Sequence, residues 1–382
     1  MTTNHLVEIA NLGQSIWMDN LTRDLIESGD LKQMIETSGL RGITSNPAIF
    51  EKAINGNKIY DADIEAGIKA GKSTLEIYES LIFDDIRHAC DIFQPVYEQS
   101  NRLDGYISIE VPPNIARDTE KTIAEARRYY KQIGRENVMI KIPGTPEGLP
   151  AVEQAIADGI NVNVTLLFSV QSYIDTAWTY IRGLEQRAAK GQDISRVASV
   201  ASFFLSRIDA NIDGKINALL KAGAPDQIVR AKLEAVQGKV AIANAKIAYQ
   251  EYKKIIATDR WQALAAKGAR VQRLLWASTS TKNPNYSDVM YVDELVGADT
   301  VNTLPPSTIE ACADHCNVAD RIETGVEDAY TLIESLKDPD VDINLETVMD
   351  ELLAEGIDKF IQPFNSLMAA LEEKAQRLTT VS

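Results

Sequence analysis

Eight short apolar or alternating runs, separated by longer stretches with helical spacing, predict an α/β protein: a single (β/α)8 TIM barrel with additional helices. Two observations carry this. Strand-like and helix-like segments alternate along the chain, the pattern of a parallel sheet, and the number of strands is that of a closed barrel. The strand candidates are Ser15–Asp19, Gly42–Asn46, Tyr106–Val111, Val138–Ile142, Asn161–Leu166, Val197–Phe204, Arg273–Ser278 and Asp299–Thr303. Helical spacing falls between them at Asp118–Ile133, Pro150–Ala157, Val170–Ala189 and Asn211–Ala257. Two stretches exceed a minimal barrel, about 60–94 and the alanine- and lysine-rich run of about 212–267, interrupted near Gly223–Pro225. Both read as helical insertions on the outside. The C-terminal segment, about 345–377, also has helix spacing, with an interruption expected near Gln362-Pro363. No linker-like, repeated or low-complexity tract divides the chain, so residues 1–382 read as one domain.

The bulk properties exclude several classes. The chain has 382 residues, 45% hydrophobic and 25% charged, an ordinary globular composition. Its formal net charge of −16 opposes binding to a nucleic acid or an anionic membrane. The basic clusters Arg127-Arg128 and Lys253-Lys254 are short and sit in helical stretches, as solvated faces do. No apolar run reaches the roughly 18 residues of a membrane span, and Met1–Gly13 has no leader pattern, so the expected location is cytoplasmic. Three cysteines make no disulfide framework for a chain this size, which suits a reducing compartment. Cys312, His315 and Cys316 cluster, but in one short helical stretch with no second ligand pair, so no metal site is expected.

The two-residue period of each strand carries the chemistry. In Val138–Ile142, Val138, Ile140 and Ile142 face one way and Met139 and Lys141 the other. In Tyr106–Val111, Ser108 and Glu110 oppose an apolar face, and in Asn161–Leu166, Asn163 and Thr165 do so. A parallel strand buried under helices is ordinarily apolar on both faces. Here the second face is polar, and its polar groups lie near the C-terminal strand ends, where barrel active sites are built. The first strand adds Asp19, and the second adds Asn46 on the face of Thr44. A lysine inside a barrel is desolvated, which favours the nucleophilic neutral amine. Taken singly, each residue has a structural alternative. Lys141 could pair with Glu110 or Asp19, Asn46 could initiate a turn before Pro47, Asp19 could cap a helix, and Thr165 could be an ordinary strand threonine.

The later strands suit an anion. Ser202, Phe204 and Arg207 accompany the sixth, and Ser278, Ser280 and Lys282 follow the seventh, the region where barrels often hold phosphate. Surface cations on loops are the alternative for Arg207 and Lys282. No Walker loop or dinucleotide fingerprint occurs, so no nucleotide cofactor is expected.

At these residues the sequence resembles the transaldolase family, within the class I Schiff-base aldolase superfamily. The resemblance rests on Gly42-Ile43-Thr44-Ser45-Asn46-Pro47, on Val138–Ile142 with Pro143-Gly144-Thr145, on Asn163-Val164-Thr165-Leu166-Leu167-Phe168-Ser169, and on Ser202–Asp209. A further stretch, Trp276–Tyr286, is similar to the longer-chain variety. The resemblance runs in order from about Ser15 to about Pro305. It implies a Schiff-base lysine at Lys141, a general acid/base at Asp19, and Glu110 with Thr165 relaying protons through water. It implies that Asn46, Asn163 and Ser202 hold a dihydroxyacetone unit, with Phe204 lining the site. Arg207 would hold phosphate. Ser280 and Lys282 would complete that subsite, although the family usually has a second arginine where Lys282 stands. The implied activity is three-carbon transfer between sugar phosphates in the pentose phosphate pathway, without cofactor; the sequence leaves monomer and homodimer both open. An aldolase of the same fold releasing free dihydroxyacetone, and a non-catalytic sugar-phosphate-binding barrel, are the other readings.

Overall fold

The computed structural model describes residues 4–55, 57–223 and 226–381, with side chains described up to residue 377. Eight strands form one closed barrel in sequence order: β1 Gln14–Asp19, β2 Gly42–Thr44, β3 Ile107–Glu110, β4 Val138–Pro143, β5 Val162–Leu167, β6 Ser199–Phe204, β7 Arg273–Ala277 and β8 Thr300–Leu304. All neighbouring pairs are parallel, including β1 with β8. The expected strands are therefore all present, displaced by one or two residues at their ends.

The displacements have local causes. β2 stops at Thr44 because Ser45 turns its hydroxyl to the Ser108 carbonyl at 2.7 Å and Asn46 caps the helix Pro47–Ile54. β5 carries a register shift between Val164 and Leu167, and Leu166 within it has φ +61°. Such a bulge breaks the simple alternation expected after Thr165, and bulges are common where a strand must re-aim a side chain beside a site. Gly42 is required by packing: a Cβ there would lie 2.6 Å from the Trp17 indole.

The foot of the barrel is closed by a buried ion pair that the sequence did not reveal. Arg273, at the start of β7, reaches Asp104 at 2.9 Å, the Leu103 carbonyl at 2.6 Å and the Ser15 hydroxyl at 2.8 Å. Asp104 also accepts from Ser15 at 2.7 Å and from the Trp17 indole N–H at 3.1 Å. With both charges paired and hydrogen-bonded, the usual penalty for burying them is offset.

Helices surround the strands. Thr119–Ile133 begins at an Asp118 cap, Gly148–Asp158 is longer than the expected Pro150–Ala157, and Val170–Ala189 matches its expected bounds. The 60–94 region forms Asp61–Lys69 and Thr74–Gln99. The helical run expected over Asn211–Ala257, interrupted near Gly223–Pro225, forms Ser206–Lys221, Gln227–Val236, Val240–Ile256 and Asp259–Ala265. A break that was not expected is at Gly238, at φ +66°, where the Tyr286 ring would sit 2.7 Å from any Cβ. Of the expected interruption, Ala224 and Pro225 lie outside the described residues.

Two expectations are corrected. The C-terminal segment is one helix, Leu345–Val381, running through Pro363. Phe360, Phe364, Leu367 and Leu371 are buried along it, and packing at that spacing outweighs the hydrogen bond a proline forfeits. Cys312 and Cys316 are joined as a disulfide, whereas no bridge was expected. The helix Pro306–His315 ends just before Cys316, whose N–H still bonds the Cys312 carbonyl, so the last turn brings the two Cα atoms to 4.5 Å. Among the described residues no group of three or more His, Cys, Asp or Glu could hold a metal ion, and no helix is long and apolar enough to cross a membrane.

Candidate active site

A cavity of about 210 Å³ opens at the C-terminal mouth of the barrel. It is lined by nine of the eleven residues singled out from sequence: Asp19, Asn46, Lys141, Thr165, Ser202, Phe204, Arg207, Ser280 and Lys282. The other two, Glu110 and Asn163, stand directly behind it. Register explains the convergence, because Glu110 pairs with Lys141 across β3 and β4, and Lys141 with Asn163 across β4 and β5.

Lys141 is buried at the centre of this group. Its Nζ donates to the Ser45 carbonyl at 2.9 Å and lies 3.3 Å from Glu110 Oε1, an ion pair rather than an aligned hydrogen bond. The ion-pair alternative for Lys141 is thus present in part, but the same amine lines the cavity. Among the described residues, neither carboxylate oxygen of Glu110 nor the Thr165 hydroxyl has a hydrogen-bond partner. Unpaired buried polar atoms are uncommon and mark places where chemistry outranks stability. Burial pushes the Glu110 carboxyl above its ordinary range, against the opposing pull of Lys141.

Asp19 ends β1 at the cavity wall. It is no helix cap; Thr22 caps the following helix. Its carboxylate accepts from the Thr44 hydroxyl at 2.8 Å, and Thr44 meets Thr303 at 2.6 Å, so two threonines fix its direction. Burial raises the Asp19 carboxyl as well, opposed first by Lys141 and also by Arg207. Asn46 does cap a helix, its side-chain oxygen accepting from the Ile49 N–H at 3.1 Å, and it lines the cavity too. Asn163 donates to the Ser108 hydroxyl at 3.1 Å and accepts from Ser202 at 2.6 Å, which fixes its amide orientation across three strands.

The cations follow β6 and β7 at the mouth. Arg207 stands in the first turn of Ser206–Lys221, its guanidinium 5.2 Å from the Phe204 ring centroid. One of its terminal nitrogens is buried without a partner among the described residues. Lys282, largely exposed at the rim, donates to Ser280 at 2.9 Å. Partial burial and repulsion from Arg207 lower its ammonium below the ordinary lysine value. Its loop is tied down by Tyr286, whose hydroxyl donates to Asp213 at 2.8 Å. Ser278 in the same loop lines the cavity at φ +55°, a strained conformation for serine of the kind found at functional sites.

Sequence reasoning missed several wall residues. Thr303 lies at the end of an expected strand but without a charged neighbour in sequence to flag it. Phe360 comes from the C-terminal helix, far from the barrel pattern, and its ring centroid lies 5.9 Å from Lys141 Nζ. Nothing in the helical spacing distinguishes it from an ordinary core phenylalanine.

Fold and cavity together define a parallel (β/α)8 barrel with a lysine-centred, cation-bearing site at its C-terminal mouth. Comparison with known proteins narrows this class. Residues 16–371 match the family described as Transaldolase/Fructose-6-phosphate aldolase, and the chain belongs to that family. It is 74% identical over 381 residues to "Transaldolase 2" of Nostoc punctiforme, covering 100% of both chains. It is 73% identical, again over 381 residues and 100% of both chains, to "Transaldolase" of Trichodesmium erythraeum. A more distant relative, "Transaldolase" of Parafrankia sp., is 44% identical over 370 residues, with 97% of each chain covered.

Proposed function

We propose that this protein is a transaldolase that moves a dihydroxyacetone unit from a ketose phosphate, sedoheptulose 7-phosphate or fructose 6-phosphate, to an aldose phosphate through a Schiff base on Lys141. The observation that carries this reading is the placement of one buried amine, Lys141, in a cavity it shares with Asp19 and Arg207. Family membership over nearly the whole chain supports the same activity.

The amine of Lys141 attacks the ketose carbonyl. Glu110 and Thr165, whose buried oxygens have no partner among the described residues, transfer protons as hydroxide leaves and the imine forms. Asp19 removes the hydroxyl proton that triggers carbon–carbon cleavage. Its raised pKa suits it to take that proton and later return it. The aldose phosphate departs, and the three-carbon enamine stays on Lys141 among Asn46, Asn163 and Ser202. It then adds to an acceptor aldehyde such as glyceraldehyde 3-phosphate or erythrose 4-phosphate. Arg207, with Ser280 and Lys282, holds the phosphate of donor and acceptor in turn. The imine itself stores the electrons, so this route uses no metal or organic cofactor.

We further propose that residues 1–382 fold as one domain and act in the cytoplasm as a monomer or homodimer, without nucleic-acid or membrane partners. The net charge of −16 supports the last point.

The direct test is treatment with fructose 6-phosphate and borohydride, followed by intact mass and peptide mapping. A reduced three-carbon adduct on Lys141, absent from Lys141→Ala, is expected. No adduct on folded protein with ketose in excess would overturn the Schiff-base reading and favour a barrel that only binds sugar phosphates. A coupled assay with erythrose 4-phosphate then separates transfer from release of free dihydroxyacetone.

A further inference from the structure

The C-terminal helix brings one aromatic ring to the amine at the centre of the site. Phe360 is 5% exposed, lines the cavity with Lys141, and has its ring centroid 5.9 Å from Nζ. The helix is seated on both sides of this ring. One turn earlier, Gly356 lies so close to the β5 bulge that a Cβ would stand 2.9 Å from Leu166 Cδ2 and 3.6 Å from an Arg207 nitrogen. One turn later, Phe364 packs edge-on against Tyr78 at 5.6 Å, outside the cavity. The ring is therefore held at a fixed height over Lys141 by contacts it does not itself make.

We propose that Phe360 determines reaction specificity: its ring screens the three-carbon enamine on Lys141 from solvent, so that the enamine is consumed by an aldehyde and not by a proton. The proposal rests on the Schiff-base reading above. The two fates diverge at one carbon. In transfer, the enamine electron pair forms a carbon–carbon bond to the acceptor aldehyde, whose oxygen takes the proton held by Asp19. The resulting iminium then adds one water, and the new ketose leaves Lys141. In release, the same carbon takes a proton, the iminium adds one water, the C–N bond breaks, and dihydroxyacetone leaves with the amine restored. That water replaces the one expelled on imine formation, so neither route needs another reactant.

Distance decides which property of the ring matters. The reacting carbon is two bonds from Nζ, about 2.5 Å away, which is less than half the 5.9 Å from Nζ to the ring centroid. Cation–π attraction fades near ~6 Å, so the ring does little to hold a positive nitrogen. Exclusion of water and proton donors from the enamine is the larger effect at this range.

The test compares the full-length protein with Phe360→Ala, Phe360→Leu and Phe364→Ala. Two quantities are measured with fructose 6-phosphate as donor and erythrose 4-phosphate as acceptor: free dihydroxyacetone released per transfer, and the borohydride-trapped adduct on Lys141. Phe360→Ala should raise the release-to-transfer ratio about tenfold, with Phe360→Leu between it and wild type. Phe364→Ala, which removes one of the two contacts that set the height of the ring, should raise the ratio less than Phe360→Ala does. An adduct at wild-type yield with an unchanged ratio in both Phe360 variants would overturn the role of Phe360 and leave the Schiff base standing. If Phe360→Ala fails to fold, an unchanged ratio in Phe360→Leu overturns it equally. Loss of the adduct from the wild-type protein itself would instead overturn the underlying mechanism.

Discussion

Replacing Arg207 with alanine tests the phosphate subsite. The guanidinium is desolvated by the barrel mouth, which holds it below the ordinary arginine value, and one nitrogen has no partner among the described residues. Such a group gains on meeting an anion, because the cost of burying the charge has already been met in the folded protein. A bidentate contact to phosphate makes two charge-assisted hydrogen bonds, each contributing about 1.5–3 kcal/mol. Taking the lower end, because phosphate must itself be desolvated, Arg207→Ala should lose about 3 kcal/mol, or roughly 100-fold in kcat/KM with fructose 6-phosphate. Arg207→Lys keeps the charge but not the fork and should fall between. The assay is steady-state transfer with fructose 6-phosphate and, separately, unphosphorylated fructose as donor. The loss should be confined largely to the phosphorylated donor. A second readout is independent of phosphate: Arg207 opposes the upward shift of the Asp19 carboxyl, so its removal should move the acid limb of the pH profile further up. Equal loss on both donors, with an unmoved acid limb, would show that Arg207 merely supports the packing of Phe204.

Three further outcomes follow from the same geometry. Because burial raises Asp19, the carboxylate is protonated as pH falls through a value above the ordinary ~3.9, and kcat/KM should decline there; a limb at or below that value refutes the role of Asp19. At the barrel foot, Asp104→Ala leaves Arg273 buried and uncompensated and should cost about 3–5 kcal/mol in urea unfolding, with Asp104→Ala/Arg273→Met recovering much of it. Asp209, buried against Tyr291 and the Ala241 N–H, is pushed up to about 6 by desolvation. With a folded pKa above the unfolded one, its contribution is fully present below about pH 4 and is lost as pH rises through about 6. Relative to Asp209→Asn, the wild-type protein should therefore lose roughly 3 kcal/mol over that window, and parallel stability curves would contradict the assignment.

The sequence made most of the barrel and much of the site legible for a single reason. A strand period of two puts every second residue on the inner face, so Glu110, Lys141, Asn163 and Thr165 could be placed together from spacing alone. Where backbone departs from that period, legibility ends. Leu166 at positive φ breaks the alternation of β5 and sends its side chain to meet Gly356, a contact no periodicity anticipates. The Arg273–Asp104 pair joins a strand start to a loop 169 residues away, and only closure of the barrel brings them together. Phe360 and the Cys312–Cys316 bridge depend on where helices end and dock, which helical spacing does not specify.

The two ends of the barrel treat buried charge in opposite ways. At the foot, the Asp104 carboxylate and Arg273 are each met by hydrogen-bonding neighbours, and the arrangement can only hold the strands in place. At the mouth, the Glu110 oxygens and the Thr165 hydroxyl are buried without such partners among the described residues, where Arg207 also leaves one nitrogen unmatched. Each unmatched group costs stability of about 1–3 kcal/mol. A fold that tolerates several of them in one cavity, while matching charge fully one strand-length below, has placed its instability where a substrate supplies the missing contacts. The same contrast sets the order of effects expected from mutation: changes at the foot lower stability and leave the chemistry of surviving protein intact, whereas changes at the mouth lower turnover and leave or raise stability.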